Sequence, residues 1–145
     1  MEGYIMIRLR KYKHSEKELW CSLGSIVASR TIRKVLGIAI SSDDSYTWWI
    51  GKEKGEVVGF GAVSIGKAVA TLHHSYVFES FRGNGVYKLL LKERIEFCKE
   101  QQNVEKITAT ATEDSKPILE QFGFYEISKR GKYFTMRLFI NKGKK

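Results

Sequence analysis

Proline occurs once in the 145 residues, at Pro117, and cysteine twice, at Cys21 and Cys98. The one proline falls in the first turn of a short predicted helix, where its missing N–H costs nothing. The two cysteines lie far apart, each inside a helical pattern. They read as small core or near-core residues and not as a disulfide, a metal pair or a nucleophile. No stretch approaches the ~20 consecutive apolar residues that a membrane span needs. The ligand spacings for zinc and calcium are missing, and so are the P-loop and the Ser-His-Asp order of a hydrolase. The opening residues, MEGYIMIRLRKYK, alternate apolar and basic side chains and lack the apolar segment of a signal peptide. Internal repeats, linkers and low-complexity segments are also missing. These absences lead us to expect a cytoplasmic chain with no metal site and no membrane span.

What is present suits one packed domain. Apolar residues make up 43% of the chain and aromatics 12%. A chain of this length buries roughly 70% of its unfolded surface in a single core. We assign residues 1–140 to that domain and 141–145, Asn-Lys-Gly-Lys-Lys, to a basic tail. Lys and Arg number 25 against 16 Asp and Glu, a net charge of +9. Such a field attracts anions, whether a polyanionic cofactor, an acidic metabolite, a nucleic acid or a membrane surface.

Periodicity orders the elements. Residues 4–12 alternate as a first strand. Ser15-Glu16-Lys17-Glu18 has the form of a capping box, and Leu19, Leu23, Ile26 and Val27 follow at helical spacing. A second helical piece carries Ile32, Val35 and Leu36 and stops near Gly37. Strands are predicted over 47–50 and 57–63, joined by a tight turn at 53–56, and over 68–78 after a turn at Gly66-Lys67. A long helix covers 89–101 and a strand covers 106–111; strand–helix–strand implies a parallel pairing. A short helix over 115–122 precedes a last hairpin, 125–129 with 133–140, around Arg130-Gly131.

The segment that organises this order is FRGNGVYKLLL, residues 81–91. A polar, glycine-rich loop follows a strand and opens directly into a helix. Gly83 and Gly85 allow dihedrals that a side chain forbids, and the helix turns its orphan N–H groups and positive dipole end back on the loop. This arrangement binds phosphate or pyrophosphate. With its flanks, the block from Val77 to Leu91 resembles the acetyl-CoA-binding motif of the GNAT acyltransferases, Arg/Gln-x-x-Gly-x-Gly/Ala, here Arg82-Gly83-Asn84-Gly85-Val86-Tyr87. Tyr87 departs from the motif, standing where Gly or Ala is usual. The order β, α, α, β, β, β, α, β, α, β, β and the Gln121-Phe122-Gly123-Phe124 helix end are similar to the same family.

The resemblance implies an α/β fold with a mixed, mostly antiparallel sheet, splayed at the cofactor site and flanked by helices. It implies acetyl-CoA as co-substrate, with Arg82, Gly83, Asn84, Gly85, Val86, Tyr87 and Lys88 around the pyrophosphate. It also implies that the backbone at Val77 holds the pantetheine arm and the thioester carbonyl, stabilising the developing oxyanion. The family often places a tyrosine acid four residues before the Gly of the final Gly-Phe. That position is Leu119, which has no proton to give, and Tyr125 lies on another element. For the base, His73 and His74 occupy the strand where the family often carries a carboxylate or histidine. An imidazole suits proton uptake near neutrality. Strict alternation along a strand would let only one of them face the acceptor groove, and His73 is the preferred candidate. Glu79 is the fallback, although Arg82 beside it suggests a loop salt bridge. His14 receives no role. Of Trp48 and Trp49, alternation sends one indole to each face: one belongs to the core, and the other could line the acceptor groove, with core packing favoured for both.

In the family the acceptor groove is walled by the first two helices and the last hairpin. Here those walls carry Arg30, Arg33, Lys34, Lys129, Arg130 and Lys132. A basic wall disfavours a lysine-rich peptide and favours an amine bearing carboxylate or phosphate. The implied activity is therefore acetyl-CoA-dependent N-acetyl transfer to a small, acidic amine. The alternatives are a nucleic-acid-directed GNAT enzyme, modifying a base or an aminoacylated tRNA, and a non-catalytic CoA-binding module.

Overall fold

The computed structural model describes residues 7–27 and 42–140. Seven strands form one sheet: β1 (Arg8–Lys13), β2 (Tyr46–Glu53), β3 (Glu56–Ile65), β4 (Val69–Val77), β5 (Lys106–Ala111), β6 (Tyr125–Arg130) and β7 (Tyr133–Phe139). Their spatial order is β1-β2-β3-β4-β5-β7-β6. Every neighbouring pair is antiparallel except β4 with β5. Among the described residues the helices are α1 (Lys17–Val27), α2 (Val86–Glu100) and α3 (Lys116–Gln121), and a 3-10 turn covers Glu79–Phe81. The second helical piece predicted around Ile32 to Leu36, and the basic tail, lie outside the described residues.

Local chemistry explains most boundaries. Lys54 and Gly55, with φ of 52° and 83°, make the two-residue turn between β2 and β3, and Gly131 at φ 60° closes the last hairpin. Pro117 sits in the first turn of α3. The predicted capping box at the start of α1 does not form as expected. Glu16, not Ser15, reaches back to cap, its Oε1 accepting from the Lys13 N–H at 2.8 Å. Glu18 instead pairs with Arg10 on β1 at 3.2 Å, in a solvent-exposed bridge.

The two faces of the sheet carry separate apolar clusters. On one, Leu90, Leu91, Ile95 and Cys98 of α2 and Leu119 of α3 pack on Val58, Val63, Leu72, Ile107 and Met136. On the other, Leu19 and Leu23 of α1 pack on Tyr12, Trp48, Ile50, Phe60 and Ala62. Fully burying a leucine is worth about 1.5–3 kcal/mol, so α2, with two buried leucines and an isoleucine, is anchored firmly to β3 and β4. Trp48 and Trp49 split between the faces, and both are buried. The cysteines divide differently from expectation. Cys98 is fully buried, but Cys21 is exposed because it falls on the outer face of α1.

Candidate active site

The sheet opens in its middle. Strands β4 and β5 pair only through Val69↔Lys106, Ala70↔Ile107 and Thr71↔Thr108, after which β4 runs on to Val77 and β5 to Ala111 without pairing. The result is a wedge between them. Phe78 N–H bonds Val58 O at 2.9 Å. In the alternating antiparallel ladder, the peptide groups of the preceding residue, Val77, therefore turn away from β3 and toward the wedge. Arg82 Nε donates to the Val77 carbonyl at 2.8 Å, so the Val77 N–H is the group this position offers to a ligand.

At the mouth of the wedge stands the start of α2. Gly83 and Gly85 adopt φ of 84° and 80°, values that only glycine takes at little cost. The Leu89 N–H is bonded to Gly85 O at 3.0 Å. The N–H groups of Val86, Tyr87 and Lys88 precede it and belong to the unpaired first turn. A Cβ built on Gly83 or Gly85 would meet nothing within 4 Å, so the space over the loop is open. Asn84 steadies the loop by donating to Phe81 O at 3.2 Å. Val86 turns its side chain into the core and can offer only backbone, whereas Lys88 is exposed. Tyr87 is half-buried and packs its ring against the core cluster that α2 and α3 share. The large residue at this motif position thus points into the protein. Open space, donors and a positive helix end together fit a pyrophosphate.

The two histidines depart from the expected alternation. Between Phe60↔Tyr76 and Ala62↔His73, β4 spends one residue more than β3. His74 takes φ 52° at this β-bulge. The extra residue cancels the alternation, so both imidazoles lie on the α1 face, with centroids 5.7 Å apart. His73 stacks on Tyr46 at 4.8 Å, and its Nε2 contacts Ser64 Oγ at 2.8 Å. His74 is buried and stacks on Trp48. Burial pushes the His73 pKa down to about 4, helped by the neighbouring His74 and Arg94 charges and opposed by Asp43. His73 is therefore neutral at physiological pH, with a free lone pair but a weaker base than the near-neutral imidazole expected from the sequence.

Other candidates are placed elsewhere. Leu119 is fully buried in the α2–α3 cluster. Tyr125 is 44% exposed and stacks on Phe139 at the β7–β6 edge. Glu79 is exposed and makes no ion pair among the described residues. Arg82 spends itself on the Val77 carbonyl and the Tyr76 ring instead. His14 bonds Ser42, which also receives the Trp48 indole N–H. Lys129, Arg130 and Lys132 lie at the tip of the β6–β7 hairpin, where Phe134 of β7 meets Ala111, the last residue of β5. They thus share the open end of the wedge. Arg30, Arg33 and Lys34 lie outside the described residues. A cavity of about 690 Å³, lined by Arg8, Arg10, Tyr12 and Lys52, opens on β1 and β2, with β3 between it and β4. It is separate from the wedge.

Three residues around the histidines went unnoticed in the sequence: Tyr46 and Ser64 beside them, and Arg94 behind them on the other face of the sheet. Tyr46 and Ser64 gave no local signal, since only the β2–β3–β4 register brings them to His73. Arg94 had one, its position four residues after Leu90 on the apolar stripe of α2. Among the described residues, no group of His, Cys, Asp and Glu is arranged to hold a metal ion. No described helix is long and apolar enough to cross a membrane.

The acetyltransferase (GNAT) domain profile matches residues 13–138. No curated protein sequence matches the chain. Among solved structures, Escherichia coli ElaA superposes with a TM-score of 0.71 at 16% identity, covering 91% of this chain and 99% of that one. The ribosomal-protein-S18-alanine N-acetyltransferase of E. coli gives 0.70 at 15%, covering 93% and 94%. N-acetylglutamate synthase from Neisseria gonorrhoeae, in complex with coenzyme A and L-arginine, gives 0.68 at 14%, covering 94% of this chain and 34% of that one.

Proposed function

Because the chain belongs to the GNAT acetyltransferase family, whose members use acetyl-CoA, we propose that it transfers an acetyl group from acetyl-CoA to the amine of a small anionic acceptor. The observation that carries this reading is the open β4–β5 wedge with the first turn of α2 at its mouth. The amides of Val86, Tyr87 and Lys88 hold the pyrophosphate, with Arg82, Gly83, Asn84 and Gly85 shaping the loop beneath it. The Val77 N–H orients the pantetheine arm. Acetyl-CoA supplies an activated thioester carbonyl. His73 takes the proton released when the amine nitrogen bonds to that carbon, and the C–S bond breaks as CoA leaves. With Leu119 in the usual acid position, the departing sulfur takes its proton from water. Lys129, Arg130 and Lys132, at the same end of the sheet, favour an acceptor carrying carboxylate or phosphate.

The test is acetyl transfer from labelled acetyl-CoA to a panel of amines: amino acids, phosphorylated amines, polyamines, basic peptides and RNA. We expect N-acetyl products from the carboxylate- or phosphate-bearing amines, with weak salt dependence. Product on RNA alone, falling steeply with salt as phosphate contacts require, would overturn the acceptor assignment. CoA binding without any product would leave a binding module.

A further inference from the structure

Arg94 is the one fully buried charged side chain among the described residues, and it lies on the face of the sheet opposite the histidines. No carboxylate pairs with it among those residues. Its Nε donates to Leu90 O in its own helix at 3.2 Å, and its Nη1 donates to Ala62 O on β3 at 3.3 Å. Ala62 is the register partner of His73. Next to it, Gly61 is the single β3 residue that faces the widened stretch of β4. A Cβ built on Gly61 would lie 2.9 Å from Arg94 Cζ and 3.0 Å from Nη1. The guanidinium therefore rests on bare backbone at the place where the β3–β4 ladder is broken.

Burying a guanidinium carries a desolvation cost, and Met or Leu would fill the same space without it. What arginine adds is a rigid planar fork with directed donors. A bulge disrupts its ladder locally, and here the fork supplies a hydrogen bond at that point. We propose that Arg94 is a positioning residue for the acceptor site. By pressing on Gly61 and bonding Ala62 O, it braces the β4 bulge from behind. It thereby fixes His73 and His74 side by side on the α1 face. The inference rests on the reading of that histidine pair as part of the acceptor site, but its geometry can be tested separately. The direction of the His73 pKa, held down in part by the Arg94 charge, agrees with this closeness.

The experiment compares Arg94→Met, Arg94→Lys and Gly61→Ala with the wild-type chain by imidazole ¹⁵N NMR, which reads tautomer and environment ring by ring. The chain has three histidines, and His14 serves as the internal control. We expect Arg94→Met and Gly61→Ala to move the His73 and His74 signals well beyond those of His14, which reaches the pair only through Ser42 and Trp48. Arg94→Lys, which keeps one donor, is expected to restore part of the wild-type pattern. CoA affinity, measured by calorimetry, stays within about twofold, as for sites that act independently. Unchanged His73 and His74 signals in both variants would overturn the proposal. So would equal movement of all three rings, or failure of all three variants to fold, since either makes Arg94 a general stability element. None of these readouts needs an acceptor, so they fail separately from the assignment of His73 as base. That assignment is tested by turnover.

Discussion

The imidazole of His74 lies nearly parallel to the indole of Trp48, with centroids 5.8 Å apart and planes 9° from each other. On the next ring outward, His73 and Tyr46 are stacked at 4.8 Å with planes 20° apart. The two histidines are thus held by aromatic faces on β2, across β3. Rings pinned in this way lose little further entropy when an acceptor arrives, and orientation is the larger part of acyl transfer to a bound amine.

Turnover is expected to fall at least tenfold in His73→Ala, toward the ~10²–10⁴-fold that a general base typically contributes, while CoA affinity barely changes. Steady-state rates with the best acceptor, together with CoA titration, check this. Wild-type turnover in both His73→Ala and His74→Ala would remove the pair from the mechanism and leave Glu79 or water as the base.

Stability is expected to depend on the same residue. The pKa of His73 is about 4 in the folded chain against 6.5 for the free side chain. Above pH 6.5 the group is neutral in both states and contributes no pH dependence. As pH falls from 6.5 toward 4, the unfolded chain binds the proton first, so stability is lost across that window and levels off below it. Denaturant melts over this range are expected to show the decline. A His73→Gln variant is expected to flatten it, and an identical slope in the variant would contradict the assignment.

Gly85→Ala and Gly85→Asp separate backbone strain from charge. Neither Cβ meets protein atoms, but φ is 80°, so either change strains the backbone by about 1–2 kcal/mol. Both proteins are expected to fold with a lower melting temperature. Calorimetry is expected to show CoA binding weakened much more by Asp, whose carboxylate would face the phosphates in the proposed site. Tight binding by Gly85→Asp would move the pyrophosphate off this loop.

Leu119→Tyr is expected to destabilise the fold without supplying an acid. Leu119 is completely buried among α2 and α3 side chains, and overpacking a core position typically costs about 1–3 kcal/mol. Thermal melts and turnover check this together. A faster, equally stable variant would mean that the ring finds its way into the wedge.

The features legible in the sequence were those whose chemistry is local. Gly83, Asn84 and Gly85 announce a loop and a helix start, and the β2–β3 turn follows from Lys54-Gly55. Strand β5 begins and ends where its alternation does. The bulge was not legible, because His74 carries neither Gly nor Pro to mark it, and period-2 reasoning assumes an unbroken register. Arg94 falls on the apolar stripe four residues after Leu90, but its charge and its neighbours Lys92, Glu93 and Glu96 drew it into the solvated face. Its partner signal, the pair Gly59 and Gly61 on β3, becomes meaningful only once α2 is known to cross them. The cap at Glu16 was missed because Ser15 and Glu18 satisfy the usual pattern, while the fold draws Glu18 away to Arg10.

The parting of β4 and β5 also sets where solvent reaches the backbone. Past Thr71 and Thr108 the two strands no longer pair with each other, which creates a pair of sheet edges inside the molecule and not at its rim. Amides on such edges exchange their hydrogens through small local openings, while those in the β3–β4 and β5–β7 ladders require larger ones. An extended ligand arm lying between them would act as a missing strand and slow exchange at Val77 and its neighbours. Melting temperature would register only the total binding free energy. The exchange pattern would record, amide by amide, how far along the gap the ligand has seated.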